Sequence, residues 1–227
     1  MRTGATARDR TDTYFQDRQA AGRALAAALE RFRGAHILVL GLPRGGVPVA
    51  AEIAEALAGE LDVIVARKLG SPVSAELAIG AITADGERVL NDDVIAQLRV
   101  SETYVEAVSA VQRVEAQRRE QVFRGDRAPL QVRGRIVILV DDGLATGATM
   151  RAAVRSVRRR DPARLVVAVP VGAPAACEAL RSEADEVVCL GEPEYFAAVG
   201  AFYRDFRQTE DDEVRQLLAA HAAAATR

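Results

Sequence analysis

The stretch 137–150 reads Val-Ile-Leu-Val-Asp-Asp-Gly-Leu-Ala-Thr-Gly-Ala-Thr-Met: an apolar run that stops at two adjacent carboxylates and then at a loop of small residues. It predicts a core strand over 135–140 with Asp141 and Asp142 at its carboxyl end, followed by a tight turn into a helix. A strand of this kind needs a sheet whose neighbours run the same way, and the remaining chain supplies them.

Residues 36–41, His-Ile-Leu-Val-Leu-Gly, read as a buried strand, followed by the loop Leu42-Pro43-Arg44-Gly45-Gly46 and a helix over about 47–57. A second short strand, 62–66, makes this a parallel β-α-β unit. After the 137–150 stretch, a helix is predicted over 148–159, a strand over 165–170, a helix over 174–181 and a last strand over 186–190. The alternation is that of an α/β fold with a doubly wound, mostly parallel five-stranded sheet flanked by helices.

Between the halves, residues 67–91 differ in character. Arg67-Lys68-Leu69-Gly70-Ser71-Pro72 is polar and kinked, and 78–83 and 87–90 flank the turn signal Asp85-Gly86, so the segment reads as a β-hairpin with a mobile leading loop. Helices follow over 92–98 and roughly 102–123, the second with Thr103-x-x-Glu106 as a candidate capping box. Phe15, Ala21, Leu25, Ala28, Leu29 and Phe32 stand at helical spacing and predict an amphipathic helix over 13–32. Residues 193–206 hold five of the ten aromatics, and an alanine-rich helix starts near Glu210. With neither an internal repeat nor a long linker, 1–227 reads as one domain. Its core spans about 35–191, with a small cap drawn from about 1–34 and 192–227.

Composition excludes several classes. At 49% apolar and 27% charged, 227 residues suffice for one full hydrophobic core. A net charge of −2 gives no reason to expect a nucleic-acid partner, and Arg158-Arg159-Arg160 reads as a solvated helix end. Cys177 and Cys189 lack metal-ligand spacing and a nearby His and fit reduced thiols, so a metal site made of protein ligands is not expected. The first ten residues lack the apolar core of a signal peptide and no run is long enough to span a bilayer, so no membrane association and a cytoplasmic location are expected. Of the 30 basic residues only Lys68 is lysine, which suggests a position where a compact ammonium is not interchangeable with a guanidinium.

In an open parallel sheet, ligands sit at the carboxyl ends of strands where successive connections diverge. There Ala145-Thr146-Gly147-Ala148-Thr149 offers backbone N–H groups, two hydroxyls and a helix N-terminus, a cradle for phosphate. The two acids would repel phosphate and so need vicinal hydroxyls or a divalent cation to hold. A Walker-type loop is excluded because no Gly-Lys precedes Ser or Thr, and the Gly-x-Gly-x-x-Gly fingerprint is missing after both Gly41 and Gly143.

From Val137 to Thr149 the chain resembles the type I phosphoribosyltransferases, and 67–80 is similar to a less characterised bacterial branch of that family. The resemblance implies that Asp141 and Asp142 hold the ribose 2′- and 3′-hydroxyls of phosphoribosyl pyrophosphate (PRPP), and that Ala145, Thr146, Gly147, Ala148 and Thr149 hold its 5′-phosphate. Pro43, Arg44, Gly45 and Gly46 look like the pyrophosphate loop, with Arg44 as the charged contact. Arg67 and Lys68 with the hairpin resemble the flexible catalytic loop, Lys68 neutralising the leaving pyrophosphate. The implied reaction is magnesium-dependent transfer of the phosphoribosyl group to a nitrogenous acceptor such as a nucleobase, with Asp141 and Asp142 near the Mg2+, directly or through water. Tyr195, Phe196, Phe202 and Tyr203 are candidates to stack on the acceptor, and the same aromatics would equally close a core under the cap.

Two positions depart from the family pattern. Ala145 stands where the purine-salvage branch carries an Asp that binds the ring, and Gly143 stands where a bulkier aliphatic is usual, which would loosen the loop or enlarge the space beneath it. A homodimer is compatible with the resemblance. The alternatives are a non-catalytic sensor of PRPP or a nucleotide on the same fold, and a phosphosugar or nucleotide hydrolase; for the latter, His36 and His221 read as bystanders and no water activator stands out.

Overall fold

The computed structural model describes residues 15–129 and 131–225. The outermost parts of the expected cap, 1–14 and 226–227, lie outside the described residues, as does the start of the helix expected over 13–32.

Five strands form one parallel sheet: β1 (Ile37–Gly41), β2 (Glu60–Val63), β6 (Ile136–Val140), β7 (Arg164–Val171) and β8 (Glu186–Gly191), in the order β2-β1-β6-β7-β8. The apolar runs of β1, β6 and β7 are buried on both faces, while the edge strand β8 is only partly buried, and alternation sorts the side chains. Val39, Ile138, Val140, Val166 and Ala168 face one layer with α1 (Arg18–Ala28) and α2 (Gly46–Leu57), to which Phe123 of α4 (Glu102–Arg124) and Val214 and Leu218 of α7 (Asp211–Ala225) also belong. Leu38, Leu40, Val137, Leu139, Leu165, Val167 and Val169 face the other layer, built on α5 (Ala148–Arg158) and α6 (Pro174–Arg181). Each buried Val, Leu or Ile in these layers contributes about 1.5–3 kcal/mol.

The strand order creates one switch point. From β1 the chain leaves through α2 toward β2 on one side, whereas from β6 it leaves through α5 toward β7 on the other. The two connections diverge onto opposite faces, so a crevice opens between the ends of β1 and β6.

The hairpin carries a third strand. β3 (Ala66–Gly70), β4 (Ala78–Thr83) and β5 (Arg88–Leu90) form an antiparallel sheet in that order, so Arg67 and Lys68 belong to a strand and the leading loop shortens to 71–77. Burial explains the difference. Leu69, Ile79 and Ile82 pack with Val105 of α4 and with partly buried side chains of α3 (Asp92–Leu98), while Ala81 and Val89 pack on Ala152 of α5. This hood is fastened to α5 by charge. Asp85 in its turn accepts from Ser156 Oγ at 2.6 Å and Arg160 at 2.9 Å, and Glu87 pairs with Arg159 at 2.8 Å. The arginine triplet is the solvated end of α5 that the sequence predicts, and it makes exposed ion pairs there, with Arg158 on Asp185 at 3.0 Å.

Two helix starts differ from the sequence reading. α4 is capped by Ser101, whose Oγ accepts from the Tyr104 N–H at 3.2 Å, so Thr103 lies inside the first turn. α1 starts only at Arg18, with Asp17 as its cap, because Phe15 is extended and bridges to Tyr203. His36 is exposed just before β1.

Burial pushes the Asp85 carboxyl up, but hydrogen bonds from Ser156, Thr83 and Arg160 outweigh it and hold the group at about 2. Against an unfolded value of about 3.9, the stabilisation is fully present above that pH and is lost as pH falls toward 2. Asp85→Asn should flatten this segment of the stability profile, read as the difference in urea midpoint between variant and wild type from pH 5 to 2. Parallel curves would mean that Asp85 does not fasten the hood.

Candidate active site

The crevice is closed in by close backbone approach. A Cβ on Gly46 would come within 2.6 Å of the Val140 carbonyl and 2.9 Å of Asp141 Cα, and one on Gly45 would collide with the Asp142 carboxylate. The loop 42–46 can therefore lie directly against the acid pair only because it carries two glycines. Its Pro43–Arg44 peptide is cis. Leu42 N–H donates to the Val140 carbonyl at 2.9 Å, which ties this loop to the end of β6.

Asp141 and Asp142 sit at that end, both largely buried. Burial raises both carboxyls above the ordinary range, Asp141 the further because Asp142 lies beside it. Arg18, from the first turn of α1, opposes the rise: its Nε donates to Asp142 Oδ2 at 2.8 Å. The guanidinium also donates to the Arg207 carbonyl at 2.7 Å and stacks 4.0 Å from the centre of the Phe206 ring, so it is held from three directions. Tyr203 Oη donates to the Asp142 carbonyl at 2.6 Å. Arg18 was not singled out from sequence, since no local motif links it to an acid pair 124 positions away.

Past the acids, Gly143 and Leu144 are buried, Ala145 and Thr146 are exposed, and Gly147 takes φ +76° as the N-cap of α5. No side chain caps this helix, and the first-turn N–H groups of Ala148, Thr149 and Met150 have no acceptor within it. An anion beside Thr146 and Thr149 would meet those donors and the positive end of the dipole. Gly143 opens no space beneath the loop, contrary to the expectation from sequence: a Cβ there would overlap the Val199 methyls, so the cap already fills that position.

Lys68 and Arg67 part company because consecutive strand residues point to opposite faces. Arg67 Nε donates to Gln112 of α4 at 3.0 Å, so Arg67 turns from the crevice, against its reading as a pyrophosphate ligand. Lys68 pairs in register with Ala81, which packs toward α5, and its charge lowers the Asp141 carboxyl. It lines a cleft of about 570 Å³ with Gly80, Asn91, Thr146, Ala148 and Arg151. Arg44 reaches the start of α7, where Asp211 lies at 3.4 Å and Glu210 at 3.9 Å.

The cap aromatics are divided. Phe202 and Tyr203 are 7% exposed and share a cluster with Phe15 and Val171, so they serve as cap core rather than open stacking faces. Phe196 stacks on Phe202 at 5.3 Å, and Tyr195 is 88% exposed.

The parallel sheet thus carries paired acids at its switch point, with a small-residue loop entering α5 beside them and an exposed Lys68 on the hood. The family model described as phosphoribosyl transferase domain matches residues 11–207, and the chain belongs to that family. Proteins from two Mycobacterium tuberculosis strains, provisionally named phosphoribosyl transferases, are each 50% identical over 200 residues, 88% of this chain. The chain spans only 45% of the length of these curated relatives. The crystal structure of TT1426 from Thermus thermophilus is 46% identical with a TM-score of 0.77, covering 91% of this chain and 98% of that one. Among the described residues no helix is long and apolar enough to cross a membrane.

Arg18→Ala would leave Asp142 buried without its counterion. The expected loss is about 3 kcal/mol in unfolding free energy, with Asp142→Asn in the same chain restoring most of it. An additive double variant in denaturant unfolding would show that the two residues are not coupled.

Proposed function

We propose that the protein is a phosphoribosyltransferase that transfers the 5-phosphoribosyl group of PRPP to a nitrogenous acceptor, a nucleobase or related heterocycle, and releases pyrophosphate. The observation that carries this reading is the largely buried acid pair followed, at the β6 end of the switch point, by the uncapped N-terminus of α5: carboxylates for hydroxyls beside amides for phosphate. The free oxygens of Asp141 and Asp142 would accept from the ribose 2′- and 3′-hydroxyls, while residues 145–149 donate to the 5′-phosphate. Pro43, Arg44, Gly45 and Gly46 would meet the pyrophosphate, Arg44 leaving Asp211 and Glu210 to do so. The acceptor nitrogen attacks C1 as the C1–O bond to pyrophosphate breaks. The electron pair leaves with pyrophosphate, and the nitrogen gives up a proton.

Lys68 would lie over the departing oxygens, placing fixed positive charge where negative charge grows. Magnesium suits a donor set of carboxylate and substrate oxygens; held by Asp141 and Asp142, directly or through water, it would add positive charge at the leaving group. Of the candidate stacking residues, Tyr195 has an open ring to offer a planar acceptor, and Ala145 removes the ring contact used in purine salvage. The whole of 1–227 is read as one such domain. Two free thiols suit a cytoplasmic setting, and a homodimer fits the family.

Incubation with PRPP, Mg2+ and a panel of bases should release pyrophosphate with at least one of them. Binding without turnover on every base would favour the sensing alternative. Lys68→Ala should lower kcat about 10²–10³-fold while ribose 5-phosphate still binds.

Asp141→Asn with Asp142→Asn should abolish ribose 5-phosphate binding in calorimetry, and unaltered affinity would reduce the acids to structural caps. Because burial raises Asp141, its ionisation opposes folding, and this penalty grows as pH rises from the unfolded value through the folded one. Asp141→Asn alone should therefore raise Tm at neutral pH. Ligand affinity should fall as acidification protonates the pair, at a higher pH than for an ordinary carboxylate.

A further inference from the structure

Away from the acid pair, the β7-α6-β8 edge brings together three side chains that the sequence spacing kept apart. The Sγ atoms of Cys177 on α6 and Cys189 on β8, with a carboxylate oxygen of Glu192 just past β8, all lie within 4.8 Å of one another. Cysteines twelve positions apart show no ligand spacing along the chain. They meet because α6 folds back on the strand that follows it.

We propose that Cys177, Cys189 and Glu192 form a binding site for a thiophilic divalent cation of the zinc class. Zinc takes sulfur at about 2.3 Å and oxygen at about 2.1 Å in tetrahedral geometry. That spaces its ligand atoms about 3.5–4 Å apart, within the span these three occupy. Two sulfurs and one carboxylate select zinc over magnesium or calcium, which take oxygen alone.

The surroundings are built in the same sense. Gly172 lies against both sulfurs, and a Cβ there would overlap Cys177 Sγ and come within 3.3 Å of Cys189 Sγ, so the residue leaves the sulfurs their room. The Glu192 carboxylate is held by Arg181, which also pairs with Glu178 at 2.9 Å, the outer contact that orients a ligating carboxylate. Cys177 is fully buried, whereas Cys189 and Glu192 are half-buried, which leaves the ion a way in. Binding displaces the two thiol protons to solvent; two thiolates, one carboxylate and a dication then sum to one negative charge beside Arg181.

The site also braces the phosphate loop. Leu144 pairs with Gly172, its N–H donating to Val171 and its carbonyl accepting from Ala173 at 2.8 Å. The ion would therefore lock the edge on which 144–149 rests.

The test uses the full chain, reduced, stripped with a chelator and titrated with Co2+. One equivalent should produce the near-ultraviolet sulfur-to-cobalt charge-transfer band and the visible bands of tetrahedral cobalt, both bleached by one equivalent of Zn2+ with release of about two protons. Glu192→Gln should keep the charge-transfer band and weaken Zn2+ binding about 10–100-fold. Cys177→Ser with Cys189→Ser should lose the band and the rise in Tm that Zn2+ gives the wild type. A wild-type chain without the band overturns the proposal whatever the variants do, and so does Zn2+ affinity unchanged in the double serine variant.

Discussion

Two neighbouring carboxylates buried at the end of a central strand are an unfavourable arrangement, and much of the molecule is arranged to tolerate it. Desolvation raises both groups, and the charge of Asp142 raises Asp141 further. Arg18 supplies the nearest compensating charge, from a helix that begins the described chain, and Phe206 and the Arg207 carbonyl fix that guanidinium from the end of the cap. Tyr203 takes the Asp142 carbonyl. The cap is thus the counterpart of the acid pair, and its aromatics have structural work that a reading of their ring faces alone would miss.

The same constraint sets the loops. Glycine at 45 and 46 lets the loop after β1 lie against the acids at the end of β6 without a Cβ between them. At Gly143 the approach runs the other way: Val199 of the cap occupies the volume a larger residue would need. Opposite, the hood carries Lys68 toward α5 on the strand face that Ala81 shares, while Arg67 is spent on α4. Of the cations around the acid pair, Arg18 is fixed against it, whereas Arg44 is engaged by Asp211 and Glu210.

Much of this was legible in the chain. The β6 strand with its acids, the helix after Gly147, the five apolar runs and both flanking helix sets follow from periodicity and turn chemistry, which are local. The misplaced features depend on contacts distant in sequence. β3 reads as a polar kinked loop until β4 pairs with it and Leu69 is buried. Phe15 fits a helical stripe until it bridges to Tyr203. The arginine triplet is solvated as its sequence suggests, but its partners Asp85, Glu87 and Asp185 come from distant segments.

By itself the sequence determined the sheet, its winding and the place of the acid pair and the small-residue loop, since alternation, glycine and a strand-acid-loop order act over neighbouring residues. Tertiary structure alone decided which groups meet: Arg18 with Asp142, Lys68 on the α5 side of the hood and Arg67 on the α4 side, and Cys177 with Cys189. Those choices rest on Coulomb interactions and close packing between segments separated along the chain, and a linear pattern carries no record of them until the sheet has brought its edges together.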